Sequence, residues 1–376
     1  MPFKTFAPLA GALTLAASPL WADSLPAGDP AALGFSPERL EAIDAMLQAR
    51  IDGGDFPGAV VMVAREGQAA HLAALGARTE GGEAMAEDAI FRIYSMTKPV
   101  TSVVAMMLVE EGRLGLSDPL GAYMPEYAEM TVLADGAAEA VPAVRPIRVH
   151  DLLLHTAGMT YGFFGAGPAR EALKAANLEG GGFDNRQIAR RIGELPLEHQ
   201  PGEVWEYSRS TDVLGALIEV VEGKTLGEVF EERVFGPLGM EDTGFWIEDE
   251  AARGRFAEAR ADDMKIGPLD MFDPMQPRVF ESGGGGLVST VHDYARFAQM
   301  LLNGGEYEGA RLLSPKTVAY MTADHMTGRG KGKYYLPGAG YGFGLGFGVR
   351  LEDGTAPAMG STGEYYWGGA AGTYVW

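Results

Sequence analysis

The stretch "IFRIYSMTKPVTSVVAMMLVEEGRL", residues 90–114, constrains the fold more than any other. Pro99 fits only the first turn of a helix, where a missing N–H costs little. The spacing predicts a helix that starts near Ser95 and runs through Val100, Val103, Val104, Met107 and Leu108. Those positions follow the i, i+3, i+4, i+7, i+8 rhythm of a buried stripe, so other elements must cover it. Residues three apart share a helix face, which puts the Lys98 ammonium beside the Ser95 hydroxyl. The serine also stands at the positive end of the helix dipole, near unpaired backbone N–H groups. Taken alone, such a serine reads as a helix cap and the lysine as a solvated charge. The rest of the chain decides between that reading and a chemical one.

A chain of 376 residues can hold about two domains and bury a large core. Its 51 acidic residues against 30 Lys and Arg give a formal net charge of −21. A surface so acidic repels phosphate backbones, so no nucleic-acid partner is expected. There is no cysteine, hence no disulfide, no thiol nucleophile and no lipid-bearing N-terminal cysteine. The opening "MPFKTFAPLAGALTLAASPLWADS" reads as a secretory signal, with Lys4 as its positive region and residues 6–20 as its apolar core. Cleavage after Ala22 would make residues 1–22 the signal peptide. That apolar run is shorter than the ~20 residues a bilayer span needs, and no other segment is long and apolar enough. Export to a bacterial periplasm or medium is expected, without stable membrane insertion.

"SPERLEAIDAMLQARID" opens with an N-cap serine and an N1 proline and continues with helical periodicity. "GAVVMVAREGQAAHLAALG" reads as two strands joined at Glu66 and Gly67. From Ser117 to about Ser282 the texture changes to helices, over residues 149–155, 186–192, 211–222 and 226–234, separated by Pro/Gly loops. "ESGGGGLVSTVHDYARFAQMLLNGG" then returns to a glycine turn and an amphipathic helix capped by Ser289 or Thr290. The glycine- and aromatic-rich "YGFGLGFGVRLE" and "GEYYWGGAAGTYVW" read as strands with close backbone approach. Strands, helices, then strands again imply a sheet built from both ends of the chain. Residues 23–118 and 283–376 would form a discontinuous α/β sheet domain and 119–282 an inserted helical domain, with the active cleft between them.

A nucleophilic serine needs a base, and histidine is the usual one. His155, before Gly158, is expected to cap helix carbonyls. His292 beside Asp293 reads as a capping and surface pair, and His71, His150, His199 and His325 lack metal-like spacing. No G-x-S-x-G elbow occurs. No metal site is therefore expected, and lysine is left as the base. Its pKa of ~10.4 must then be lowered by burial and neighbouring positive charge. Tyr207, in "EVWEYSRST", offers a second proton carrier, or else an aromatic packing residue ahead of a helix.

At these residues the chain resembles a known family. Ser95-Met96-Thr97-Lys98 is similar to the S-x-x-K motif of the serine β-lactamase and penicillin-binding protein superfamily. Tyr207-Ser208-Arg209 resembles the Y-x-N motif of the class C branch, and Trp367-Gly368-Gly369 falls where K-T-G would lie. "LLLHTAGMTYG", "PGEVWEYS" and "GGGGLVSTVHDYARFAQMLLNGG" extend the likeness over nearly the whole mature chain. The resemblance implies a β-lactamase/transpeptidase-like α/β (α+β) fold, an antiparallel sheet flanked by helices plus an inserted all-helical domain. W-G-G is the form seen in class C-related, family VIII carboxylesterases. Trp367 cannot attract a substrate carboxylate as a lysine does, and offers instead an apolar wall for neutral acyl or alcohol groups. Arg209 stands where the Y-x-N asparagine would contact a lactam side chain.

The implied chemistry is acyl transfer through Ser95, with Lys98 and Tyr207 sharing the roles of base and proton shuttle and no metal or organic cofactor needed. Either could be the base, because a coupled pair titrates as a unit. The oxyanion would sit between the N–H groups of Ser95 and Ala370, with Gly368 and Gly369 letting the strand backbone come close. The expected partner is a small-molecule ester with a short neutral acyl group. A β-lactamase or D-amino-acid-specific peptidase, acyl transfer to another alcohol, and a catalytically silent ligand-binding protein are the alternatives; oligomeric state is left open. "WGGAAGTYVW" stops in mid-strand, whereas the related fold adds a strand and a helix. The expectation is a longer parent protein, by roughly 40–60 residues.

Overall fold

The computed structural model describes residues 25–178, 182–260 and 273–376. The expected signal peptide lies outside them. Helix α1 (Pro37–Asp52) begins as its sequence predicts, with the Ser36 side chain accepting from the Arg39 N–H and proline at its first turn. It packs on the hairpin β1 (Gly58–Arg65) and β2 (Gln68–Gly76), burying Leu40 against Leu33 and Ala70. Glu66 and Gly67 at the hairpin tip have φ of 54° and 74°, the paired left-handed geometry that matches strand twist.

Strand β3 (Ile90–Arg92) is the middle of a three-stranded sheet, parallel to Phe256–Ala257 and antiparallel to Val288–Ser289. It leads into helix α2 (Thr97–Glu110), in which every residue from Thr97 to Met106 is buried. The stripe is therefore wider than the sequence rhythm implied, and Met107, expected inside it, is only half-buried. A helix apolar nearly all round belongs in the middle of a core.

Its cover is the helical region: α3 (Val149–Leu153), α4 (Pro168–Ala175), α5 (Asn185–Gly193), α6 (Ser210–Glu222) and α7 (Leu226–Phe230). Helix α6 packs on α2, α3 and α5, which makes it the hub. The helix expected over 226–234 breaks after Phe230 into a π-helical turn, Glu231–Phe235. Short strands also occur within 119–282, among them Val204–Trp205, which runs parallel to Gly330–Lys331. Late in the chain, Tyr341–Phe343, Gly348–Arg350, Tyr365–Gly368 and Tyr374–Val375 form an antiparallel sheet in that order. The strand Tyr365–Gly368 packs on the turn that carries Ser95. The fold is thus mixed α/β, with antiparallel strands around a buried helix.

Candidate active site

Ser95 sits in a single 3-10 turn, Tyr94–Met96, ahead of α2 rather than within it. The chain reaches that turn from β3, pinned by the Ile93 N–H on the Leu287 carbonyl at 3.0 Å. Tyr94 adopts φ of 42°, a left-handed conformation that costs energy in a bulky residue and makes a sharp bend. The bend leaves Ser95 partly exposed while Tyr94 and Met96 are buried.

Lys98, one helical turn on, is 1% exposed. Its Nζ donates to Ser95 Oγ at 3.1 Å and to the Gly284 carbonyl at 2.6 Å. Burial lowers its pKa to about 7; the Asp212 carboxylate opposes that shift and the Arg209 guanidinium adds to it. Tyr207 lies between the strand Val204–Trp205 and α6, and its phenol donates to Ser95 Oγ at 2.6 Å. Burial raises the Tyr207 pKa, while its contacts with Ser95 and Trp367 work against the rise. The three side chains are therefore in mutual reach, and burial pushes the Lys98 and Tyr207 pKa values apart, the amine down and the phenol up.

Sequence reasoning missed the support beneath Lys98. Asp212, buried in the first turn of α6, accepts from Ser282 Oγ at 2.5 Å and from the Gly284 N–H at 3.0 Å. Thr101 Oγ1 holds the Gly283 carbonyl at 2.7 Å. The "ESGGGGLVS" run, read only as a turn, is the platform on which the lysine rests. Arg209 is buried too, 3.3 Å from Asp212 and with its guanidinium 5.2 Å from the Tyr161 ring centre. An Arg–Asp pair three apart on a helix start was a readable signal.

Trp367 is 4% exposed, its ring centre 5.8 Å from that of Tyr207 and 5.3 Å from that of Phe343. Its indole N–H is near enough to the phenol to favour the Tyr207 anion, yet makes no hydrogen bond of regular geometry among the described residues. Gly368 ends the strand. At Gly369 a Cβ would lie 2.4 Å from the Ile93 carbonyl, so only glycine lets the strand press against the approach to Ser95. Ala370 follows Gly369 directly and is exposed.

Two expectations about histidine are corrected. His155 does end α3, with φ of 55°, but its ring caps nothing. It is buried among Trp205, Tyr207 and Phe343, with Nδ1 3.1 Å from Ser208 Oγ. Burial, reinforced by the Lys98 charge, holds its pKa well below the usual value. Asp293 is no surface partner of His292: it is 5% exposed and accepts from the Asp242 N–H and Thr243 Oγ1, each at 2.8 Å. Among the described residues no group of three or more His, Asp or Glu could hold a metal ion. A separate cavity beside Tyr94, lined by Phe56, Arg78, Phe91, Glu258 and Thr373, includes none of Ser95, Lys98 and Tyr207.

Comparison with known proteins identifies the family. The family described as Beta-lactamase matches residues 43–376. An uncharacterized protein of Mycobacterium tuberculosis is 39% identical over 348 residues, 89% of this chain and 86% of its own length. Esterase EstB of Burkholderia gladioli is 32% identical over 288 residues, 71% of each chain. The solved structure described as EstCE1, a hydrolase with promiscuous acyltransferase activity, superposes with a TM-score of 0.72 at 28% identity, covering 90% of this chain and 88% of its own. With the family matched across most of its length and this fold beneath it, the chain belongs to the beta-lactamase family.

Proposed function

We propose that this protein is a serine hydrolase that cleaves small-molecule carboxylic esters through an acyl-serine intermediate. The carrying observation is Ser95 Oγ, 3.1 Å from a lysine amine of lowered pKa and 2.6 Å from a buried phenol, beside a tryptophan where a carboxylate-binding cation would be needed for penicillins. The esterase relative supports the same substrate class.

Neutral Lys98 has a lone pair that can accept the Ser95 proton as Oγ attacks the ester carbonyl. The negative charge then on the carbonyl oxygen is met by the N–H groups of Ser95 and Ala370. Tyr207, still protonated because burial raises its pKa, donates to the departing alkoxide, and the Lys98 proton restores the phenol. Water attacks the acyl-serine by the reverse proton traffic and releases the acid. Trp367 walls the acyl or alcohol side, so short neutral esters suit the site better than anionic lactams. No helix among the described residues is long and apolar enough to cross a membrane. Residues 1–22 support export, so we expect the enzyme to work outside the cytoplasm.

The test is a panel of p-nitrophenyl esters run beside nitrocefin, with a fluorophosphonate label followed by peptide mapping. Ester turnover that disappears in Ser95→Ala, with the label on the peptide holding Ser95, is the expected result. A label elsewhere sinks the nucleophile, and faster nitrocefin cleavage promotes the β-lactamase reading.

A further inference from the structure

An outer aromatic wall continues the site towards solvent. Tyr161, Phe163 and Phe164 come from one glycine-rich loop, "YGFFGAG", and Tyr334 from the segment after Lys331. The Tyr161 ring centre is 5.2 Å from that of Tyr207 and the Phe164 centre 6.1 Å from it. Phe164 stacks on Tyr334, centres 5.2 Å apart and planes 24° apart. Phe163 at the rim is 41% exposed, whereas Tyr207 is 5% exposed.

Aromatic loop residues usually adapt to what they bind, but this pair is fixed from below. Arg170, in α4 and 2% exposed, donates to the Phe164 carbonyl at 2.8 Å and lies 4.9 Å under the Tyr334 ring centre. It also pairs with Glu198 at 2.7 Å and with Glu206. The second Glu206 oxygen accepts from the Tyr334 N–H at 3.3 Å. One buried guanidinium thus ties down both ring-bearing backbones, and its partner Glu206 immediately precedes Tyr207. At Gly165, φ is 66° and a Cβ would fall 2.4 Å from the Tyr334 hydroxyl, so the loop is closed against that ring. Burying one cation with two carboxylates is costly unless the geometry is well satisfied, and such networks fix positions more than they add stability.

We propose that Phe164, backed by Tyr334 and held by Arg170 and Glu206, presents a rigid aromatic wall that selects esters carrying a planar aromatic group over saturated groups of equal size. The inference rests on the esterase reading and names the substrate class of the same site. A flat ring stacks on an aromatic face at centre spacings of about 4.5–7 Å, a gain beyond area burial of about two- to tenfold in affinity. A cyclohexyl ring is thicker and has no such complement. Arg170 touches no substrate in this account; it is a positioning residue.

Two matched substrate pairs separate ring flatness from ester reactivity: benzyl acetate against cyclohexylmethyl acetate, and methyl phenylacetate against methyl cyclohexylacetate. The first pair varies the alcohol side and the second the acyl side. In at least one pair, kcat/KM should favour the aromatic ester by about two- to tenfold, mostly through KM. That ratio should fall towards unity in Phe164→Leu and Tyr334→Leu, and also in Arg170→Lys, which retains both rings but loosens what holds them. p-Nitrophenyl acetate is assayed on the same preparations. A wild-type ratio near unity in both pairs, with p-nitrophenyl acetate turned over, overturns the selective wall alone. No turnover of any ester overturns the esterase reading and the wall with it. A preference that survives both leucine variants removes the role of the pair, and one that survives only Arg170→Lys removes the clamp. The wild-type ratios stand even where a variant fails to fold.

Discussion

Lys98 Nζ lies 2.6 Å from the Gly284 carbonyl, nearer than its 3.1 Å to Ser95 Oγ. A free amine still has N–H groups to give that carbonyl, so the backbone anchors the nitrogen in both protonation states and leaves its lone pair for the serine. The anchor depends on Asp212, which holds the Gly284 N–H and the Ser282 hydroxyl.

The first prediction follows from that chain of contacts. The neutral amine is the active form, so kcat/KM should rise with pH through an apparent pKa near 7, the value to which burial brings Lys98. The Asp212 charge raises that pKa, so Asp212→Asn should move the acidic limb to lower pH and also lower kcat as the anchor loosens. A pH–rate profile on both proteins reads this directly. An unmoved limb would mean that Lys98 does not set it.

Lys98→Ala and Tyr207→Phe should each lower kcat by ~10²–10⁴-fold, the usual range for a lost general base or acid. They act as a unit, so the double variant should be little worse than the poorer single one. Near-normal turnover in Tyr207→Phe would remove the proton-shuttle role. Multiplying losses in the double variant would mean that the two residues act independently.

These contacts divide by how far the sequence could reach. Ser95 and Lys98 are three apart at a helix start, so their meeting follows from local geometry. Tyr207 meets Ser95 across 112 residues of chain, and only the resemblance to a known family pointed there. The hairpin at Glu66 and the α1 cap were legible because each is a local hydrogen-bond problem solved by nearby residues. The Arg170, Glu198 and Glu206 cluster was not, since each reads alone as a solvated charge and only tertiary packing buries them together. His155 shows the same limit: the helix end was visible in "HTAGM", but Trp205 and Phe343, which bury the ring, arrive from elsewhere.

Trp367 can be tested for more than its bulk. Its buried indole N–H lies by the Tyr207 phenol and favours the anion. Trp367→Phe keeps an apolar wall and removes that N–H, so the phenol becomes harder to ionise. With no hydrogen bond of regular geometry to lose, kcat should fall by less than the ~10-fold that losing a full charged hydrogen bond costs, with KM little changed. A rise in KM alone, with kcat intact, would reduce Trp367 to a wall.

The last prediction concerns stability rather than turnover. His150 Nε2 in α3 lies 3.1 Å from His325 Nδ1, and His325 Nε2 lies 2.8 Å from the Tyr320 carbonyl. A carbonyl only accepts, so His325 carries its proton on Nε2 and offers Nδ1 as the acceptor for His150. The bond staples the helical region to the segment before the late strands. Burial first, then the His325 and Arg329 charges, lower the His150 pKa from 6.5 to about 4; Asp151 opposes this and Arg145 adds to it. The unfolded chain therefore takes up this proton near 6.5 and the folded chain only near 4. This term is fully present above the unfolded value and is lost as pH falls through that window. Asp293, raised to about 6, and Glu219, raised to about 7, act in the opposite sense, so one melting curve mixes the effects. The difference between proteins isolates the pair. His150→Asn should lower Tm at about pH 7, where the staple is intact, and lose less Tm than wild type on going to about pH 4. Equal acid sensitivity in the two proteins would show that His150 does not carry this term.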